Sequence, residues 1–160
     1  MIKIICVGKV KEKYYIDAIK EYQKRLSKYT KLEIIELPDY NYDVDKTIYE
    51  EGKNILSKIK DNDYVVALAI NGKECDSISL SSYIDKNISK NITFIIGGSN
   101  GLSKNVLDRS NDQISFSKLT FPHQLFRVIL LEQIYRSFKI INGESYHKWS
   151  SFDIIMLGDD

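Results

Sequence analysis

The chain offers little of the chemistry that metal sites, disulfides or redox centres need. Two cysteines and two histidines occur in 160 residues. Cys6 and Cys75 have no CxxC spacing and lie in apolar or turn surroundings. That excludes a disulfide framework and reads as buried or incidental thiols. His123 and His147 lack clustered Cys or Asp partners, so no metal site is expected. Net charge is also scarce. A formal charge of +1 does not fit a strongly basic nucleic-acid-binding domain. No apolar run reaches the roughly 20 residues that span a bilayer. The opening MIKIICVGKV lacks a signal-peptide core followed by a small-residue cleavage site. The expectation is a cytoplasmic protein with no membrane partner. Repeats, low-complexity segments and linkers are missing too, and the length fits one domain.

What is present is an alternation of strand and helix patterns. Ile2–Val7 is apolar and β-prone. Lys13–Tyr29 carries Tyr14, Tyr15, Ala18, Ile19, Tyr22 and Leu26 at helical spacing. Leu32–Leu37 reads as a strand closed by Pro38, and PDYNYDVDK as a surface loop. Lys46–Lys60 reads as a helix. Tyr64–Ile70 reads as a buried strand ending in a turn at Asn71-Gly72-Lys73. A helix over Ser79–Ser89 with a serine N-cap, a strand over Ile92–Ile96 and a short helix after Ser103 follow. The strand Gln113–Ser117 and a long helix over Phe121–Ile141 complete the chain. Continuous apolar strands between helices imply an α/β fold, a parallel sheet covered on both faces. Ligands in such sheets bind beyond the carboxyl ends of strands. The candidate loops are therefore Leu68–Gly72, Gly97–Gly101 and Phe116–Phe121.

Charge and hydropathy are unevenly placed. Lys3, Lys9, Lys11, Lys13, Lys20, Lys24, Arg25 and Lys28 outnumber Glu12, Asp17 and Glu21 in the first 30 residues. A local phosphate-binding face and a solvated amphipathic helix both account for them. The last helix is apolar around almost its whole circumference, through Leu125, Phe126, Val128, Ile129, Leu130, Leu131, Ile134, Tyr135 and Phe138. Such a helix must be buried on nearly every side, and a sheet covers only one. A second subunit is expected on the other. At about 100° per residue His123 and Arg127 share a stripe, with Glu132, Arg136 and Lys139 roughly opposite. Glu132 and Arg136 have the spacing of a helical ion pair.

The stretch Ile95–His123 is the most informative. IIGGSNGL runs an apolar strand into glycines, and SFSKLTFPH runs a second strand into a polar-aromatic loop. Gly97-Gly98-Ser99-Asn100-Gly101 does not have the dinucleotide spacing, and no lysine stands in a Walker-type glycine loop. Glycines there permit close backbone approach to a ligand, or simply a tight turn. SFSKLTFPH supplies backbone groups, hydroxyls and two phenyl rings. That lining suits a purine with an uncharged sugar better than a triphosphate. Near the end, Tyr146-His147-Lys148 offers an aromatic, an imidazole and an ammonium, a set that can stack on a base and hold phosphate. A frayed polar tail is the plainer reading.

Taken in order, ICVGKVKEKYYIDAIKEYQKRLSKY, FIIGGSNGLSKNVL, SFSKLTFPHQLFRVILLEQIYRSFKI and GESYHK closely resemble the RlmH family. These are SPOUT-type methyltransferases that act on large-subunit ribosomal RNA. The resemblance covers residues 1–148. It implies an α/β fold whose C-terminal part forms a trefoil knot, a homodimer, and S-adenosyl-L-methionine as cofactor. It places the cofactor contacts on Leu68, Gly97, Phe116, Ser117, Lys118, Leu119, Thr120 and Phe121, within the three loops already chosen. It implies N3-methylation of pseudouridine 1915 of 23S rRNA on the assembled 70S ribosome.

Because N3 of a uracil-type ring must lose a proton before it attacks, a base or anion-stabilising donors are expected. His123 and His147 are candidate bases, and Arg127 a candidate for stabilising ring or phosphate charge. Arg136, Tyr146 and Lys148 are candidate RNA contacts. A SPOUT enzyme acting on tRNA and a non-catalytic ribosome-binding module are the alternatives. The family ends at or just after its Tyr-His-Lys/Arg motif. This chain continues with WSSFDIIMLGDD, residues 149–160, an extension to which no role is assigned.

Overall fold

β1 (Ile2–Val7) and β4 (Asn91–Ile96) are built almost entirely of side chains that fit a pleated surface. Neither alternates polar with apolar, because both of their faces are covered. Successive side chains point to opposite faces, so Ile4 and Cys6 enter one layer while Ile5 and Val7 enter the other. The structure, a computed structural model, describes residues 1–148. The extension 149–160 lies outside the described residues.

With β2 (Leu32–Leu37), β3 (Asp63–Glu74) and β5 (Asp112–Ser115), these strands form one five-stranded sheet. Its order is β2-β1-β4-β3-β5, and every neighbouring pair is parallel. The helices are α1 (Lys13–Leu26), α2 (Val44–Ser57), α3 (Ser77–Lys86), α4 (Lys104–Arg109) and α5 (His123–Ile141). Leu26 of α1, Leu80 and Ile84 of α3, and Leu130, Leu131, Ile134, Tyr135 and Phe138 of α5 pack on one face. Ile55 of α2 and Val106 of α4 pack on the other. The chain is thus a single α/β domain, and parallel pairing puts all five carboxyl strand ends along one edge.

Several boundaries differ from the sequence expectation: α1 ends at Leu26 rather than Tyr29, α2 spans Val44–Ser57 rather than Lys46–Lys60, and β5 spans Asp112–Ser115 rather than Gln113–Ser117. Three further differences have a local reason. The segment read as a turn at Asn71-Gly72-Lys73 is extended and belongs to β3. Its pairing with β5 shifts register between Leu68 and Lys73. Gly72 serves close approach rather than a turn: a Cβ there would sit 2.7 Å from the backbone N and C of Ile114. α3 begins earlier, at Ser77, because Asp76 rather than a serine caps it, accepting from Ser79 N at 2.7 Å. α5 begins at His123 rather than Phe121. A residue before proline is steered away from helical ψ, so Phe121 stays in the loop and Pro122 opens the helix.

Every residue of α5 is buried or half-buried. Leu125, Val128 and Ile129 are half-buried yet belong to neither core cluster. With Glu132 and Arg136 they form one stripe at helical spacing, the face that the sequence assigns to a second subunit.

Candidate active site

Along the carboxyl edge, the loops after β4 and β5 and the overhanging end of β3 enclose one cavity of about 910 Å³. That is the size of a site for a nucleoside-scale ligand. Leu68, Gly97, Phe116, Ser117, Leu119, Thr120 and Phe121 all line it. Of the cofactor residues assigned from the resemblance, only Lys118 is outside the lining, with its side chain in an exposed segment. His123 lines the cavity as well.

Each wall has a local cause. After β4, Gly101 has φ +84°, and Gly101 N donates to Gly98 O at 3.1 Å, closing a tight turn. A Cβ on Gly97 would lie 2.9 Å from Leu102 Cδ2 and 3.0 Å from Gly101 O, so the turn needs glycine there. Ser103 then caps α4, its Oγ accepting from Val106 N at 3.2 Å. In the β5–α5 loop, Leu119 N donates to Ser117 Oγ at 3.0 Å and Ser115 Oγ donates to Ser117 O at 2.9 Å. These bonds curl the loop so that Phe116 and Phe121 both meet Phe126, with ring centroids 5.4 and 6.0 Å apart. The result is an aromatic wall beside a backbone-lined turn, with Leu119 at the loop tip 69% exposed.

Arg127 lies elsewhere. Its side chain is buried, Nη1 meets Glu36 Oε2 at 2.6 Å, and Nη2 donates to Gly8 O at 3.1 Å. The guanidinium is spent on the ends of β1 and β2 and does not line the cavity. Glu36 Oε2 also accepts from Val10 N at 2.9 Å, and Lys11 N donates to Gln124 Oε1 at 3.2 Å. The β1–α1 loop is thereby fastened to the start of α5, and it brings Tyr15 to the cavity wall.

The tail residues form a separate cluster. Arg136 Nη2 pairs with Glu132 Oε1 at 2.6 Å, and Tyr146 Oη donates to the same oxygen at 3.1 Å. The Arg136 guanidinium lies 4.9 Å from the Tyr146 ring centroid. Arg136 Nη1 lies 3.1 Å from His147 Nδ1. Arginine has no acceptor, so Nδ1 accepts and the ring proton sits on Nε2. Lys148 follows in an exposed position. Arg136 is 13 residues beyond His123 on α5, which at 1.5 Å per residue is about 20 Å along the axis. The chain therefore brings His123 to the cavity and keeps Arg136, Tyr146 and His147 away from it.

Sequence reasoning missed Gln124 and Leu102 as lining residues. Ile70 falls within the candidate loop Leu68–Gly72 but was also counted in a buried strand, whereas it is exposed on the overhang. Sequence reasoning also missed Glu51, a carboxylate buried under the glycine turn. Burial pushes the Cys6 and Cys75 thiols up to about 11, which disfavours the thiolate. Among the described residues no cluster of His, Cys, Asp or Glu could hold a metal, and no helix is long and apolar enough to cross a membrane.

The family described as "Predicted SPOUT methyltransferase" matches residues 1–147. A Clostridium beijerinckii protein named ribosomal RNA large subunit methyltransferase H is 54% identical over 157 residues, covering 92% of this chain and 99% of its own. An Enterococcus faecalis protein of the same name is also 54% identical over 157 residues, with the same coverage.

Proposed function

Because the chain belongs to the ribosomal RNA large subunit methyltransferase H family of SPOUT methyltransferases, we propose that it methylates N3 of pseudouridine 1915 in 23S rRNA on the 70S ribosome, using S-adenosyl-L-methionine. One observation carries the reading. Three strand-end loops, separate in sequence, meet around one cavity lined by seven of the eight assigned cofactor residues, all but Lys118.

The lining fits the cofactor. Phe116, Phe121 and Phe126 offer flat apolar surface to a purine, and the Gly97–Gly101 turn presents backbone at close range. When bound, S-adenosylmethionine supplies an electrophilic methyl on a sulfonium with a good leaving group, so the protein mainly positions the reactants. Leu68, Gly97 and the run 116–121 hold and orient it, with Lys118 toward solvent. In this reading His123, which lines the cavity, accepts the N3 proton or stabilises the ring anion. Arg127 holds the β1–α1 loop against α5 and acts as a positioning residue.

Arg136, Tyr146, His147 and Lys148 serve RNA binding, with His147 the alternative base. Since one subunit holds them far from its own cavity, the reading includes a homodimer whose second copy supplies the tail. The half-buried stripe at Leu125, Val128 and Ile129 supports that arrangement. The trefoil knot and a cytoplasmic location belong to the same proposal. Single-turnover methylation with saturating cofactor tests the proton step. His123→Ala is expected to slow it by about 10²–10⁴-fold, the usual worth of a general base. Wild-type rates in both His123→Ala and His147→Ala would remove histidine from the mechanism.

A further inference from the structure

Glu51 sits on α2 under the cavity's glycine turn, and its placement is costly. It is 4% exposed. Oε1 accepts one long hydrogen bond, from Tyr40 N at 3.3 Å. Oε2 is buried with no hydrogen-bond partner, and no ion pair reaches the carboxylate among the described residues. Asp63, also buried, leaves Oδ1 without a partner too, but its other oxygen meets Lys3 Nζ at 2.6 Å, a cation that Glu51 lacks. A buried carboxylate left half-satisfied is destabilising, and nothing local requires one. It caps no helix, since it lies inside α2.

The oxygen without a partner faces the glycine turn that lines the site. A Cβ built on Gly98 would lie 2.9 Å from Oε2 and 3.3 Å from Oε1, so the turn rests directly on the carboxylate. Gly98 lines the cavity, and Gly101 N already bonds back to Gly98 O. The other groups around Glu51 are Asp39 and Tyr40 from the β2–α2 loop and His123 from α5. Burial holds the Glu51 carboxyl above the usual carboxylate range, and Asp39 adds to this. The Tyr40 N–H and the His123 charge oppose it.

We propose that Glu51 is the positioning residue of the methyl-donor site: its buried carboxylate supports the turn at Gly98, and its open oxygen accepts a turn N–H when the turn closes on a cationic adenosyl ligand. This rests on the cofactor reading of the cavity. Closure supplies the donor that Oε2 lacks, and the ligand's positive charge favours the ionised carboxylate. Binding and ionisation of Glu51 are therefore linked, each strengthening the other. The direction follows from the raised carboxyl: ligand affinity rises with pH as Glu51 loses its proton. The free protein carries the unsatisfied group as a stability cost, which a glutamine relieves.

The test is calorimetry with S-adenosylmethionine on the full chain between about pH 5 and pH 8, in two buffers of different ionisation enthalpy. Wild type, Glu51→Gln and His123→Gln are compared, the last to separate imidazole titration from that of Glu51. The expected result is affinity that rises with pH and proton release on binding in wild type and His123→Gln. Glu51→Gln should show neither, bind about tenfold more weakly at the upper pH, and melt at or above the wild-type temperature. Wild-type affinity and pH profile in Glu51→Gln would overturn the proposal. Should Glu51→Gln not fold, absence of proton release in His123→Gln overturns it alone. A wild type that binds no S-adenosylmethionine at any pH removes the cofactor reading, and this inference with it.

Discussion

Arg127 and Glu36 are 91 residues apart and meet with Nη1 2.6 Å from Oε2. The pair ties α5 to β2, and the second arm of the guanidinium on Gly8 O adds β1. One side chain therefore fixes the start of α5 relative to the carboxyl ends of two strands. Removing it takes the cation from Glu36, which keeps only the Val10 N–H, and leaves the Gly8 carbonyl without its side-chain donor. Arg127→Met should lose about 1–3 kcal/mol of stability, less than a fully buried pair because the Glu36 side chain is 36% exposed. Arg127→Lys should recover only part, because an ammonium lacks the two-armed geometry. Urea unfolding of these variants, and of each with Glu36→Gln, reads the coupling. Additive losses would mean that the contact does not hold the edge together.

The opposite end of the sheet carries a pH prediction. Lys3 Nζ meets Asp63 Oδ2 at 2.6 Å, with both side chains almost wholly buried. Burial raises the Asp63 carboxyl, but Lys3 and the Lys60 N–H outweigh it, leaving it below its ordinary value. A lowered carboxyl gives stability that is present above the unfolded-state pKa and lost as pH falls through the folded one. Asp63 should therefore contribute its full stabilisation from neutral pH down to about pH 4 and lose it below. In Lys3→Met the unpaired carboxylate should destabilise the fold most at neutral pH, so the difference from wild type narrows on acidification. A difference that widens on acidification would reverse the assignment.

The α5 stripe predicts association. Ile129→Glu should put an unpaired charge between two copies and shift the protein to monomer in sedimentation, with S-adenosylmethionine binding retained and RNA methylation lost. A wild-type protein that sediments as a stable, active monomer would contradict the shared site.

Much of this was legible because the physics is local. Strands β1 and β4 and the parallel sheet follow from unbroken apolar runs. The three loops follow from the rule that such sheets bind ligands at carboxyl ends. The end of β3 was misplaced because Gly72 carries two meanings, a turn or a close approach, and only its 2.7 Å contact with the Ile114 backbone selects one. Arg127 was placed on the ligand because its partner, Glu36, lies 91 residues away, and helical spacing shows neighbours only within the helix. Glu51 was invisible for the same reason: it became interesting only when the turn at Gly98 was found lying on it. The separation of His123 from His147 also needed coordinates, since both stand beside the same helix in sequence.

The most direct measurement is methyl transfer from S-adenosylmethionine to purified 70S ribosomes that lack the modification, followed by mapping of the modified base. The account predicts one methyl group per ribosome, on N3 of pseudouridine 1915, with tRNA and isolated 23S rRNA much poorer substrates. No incorporation into ribosomes, or a methyl group on another base, would contradict it.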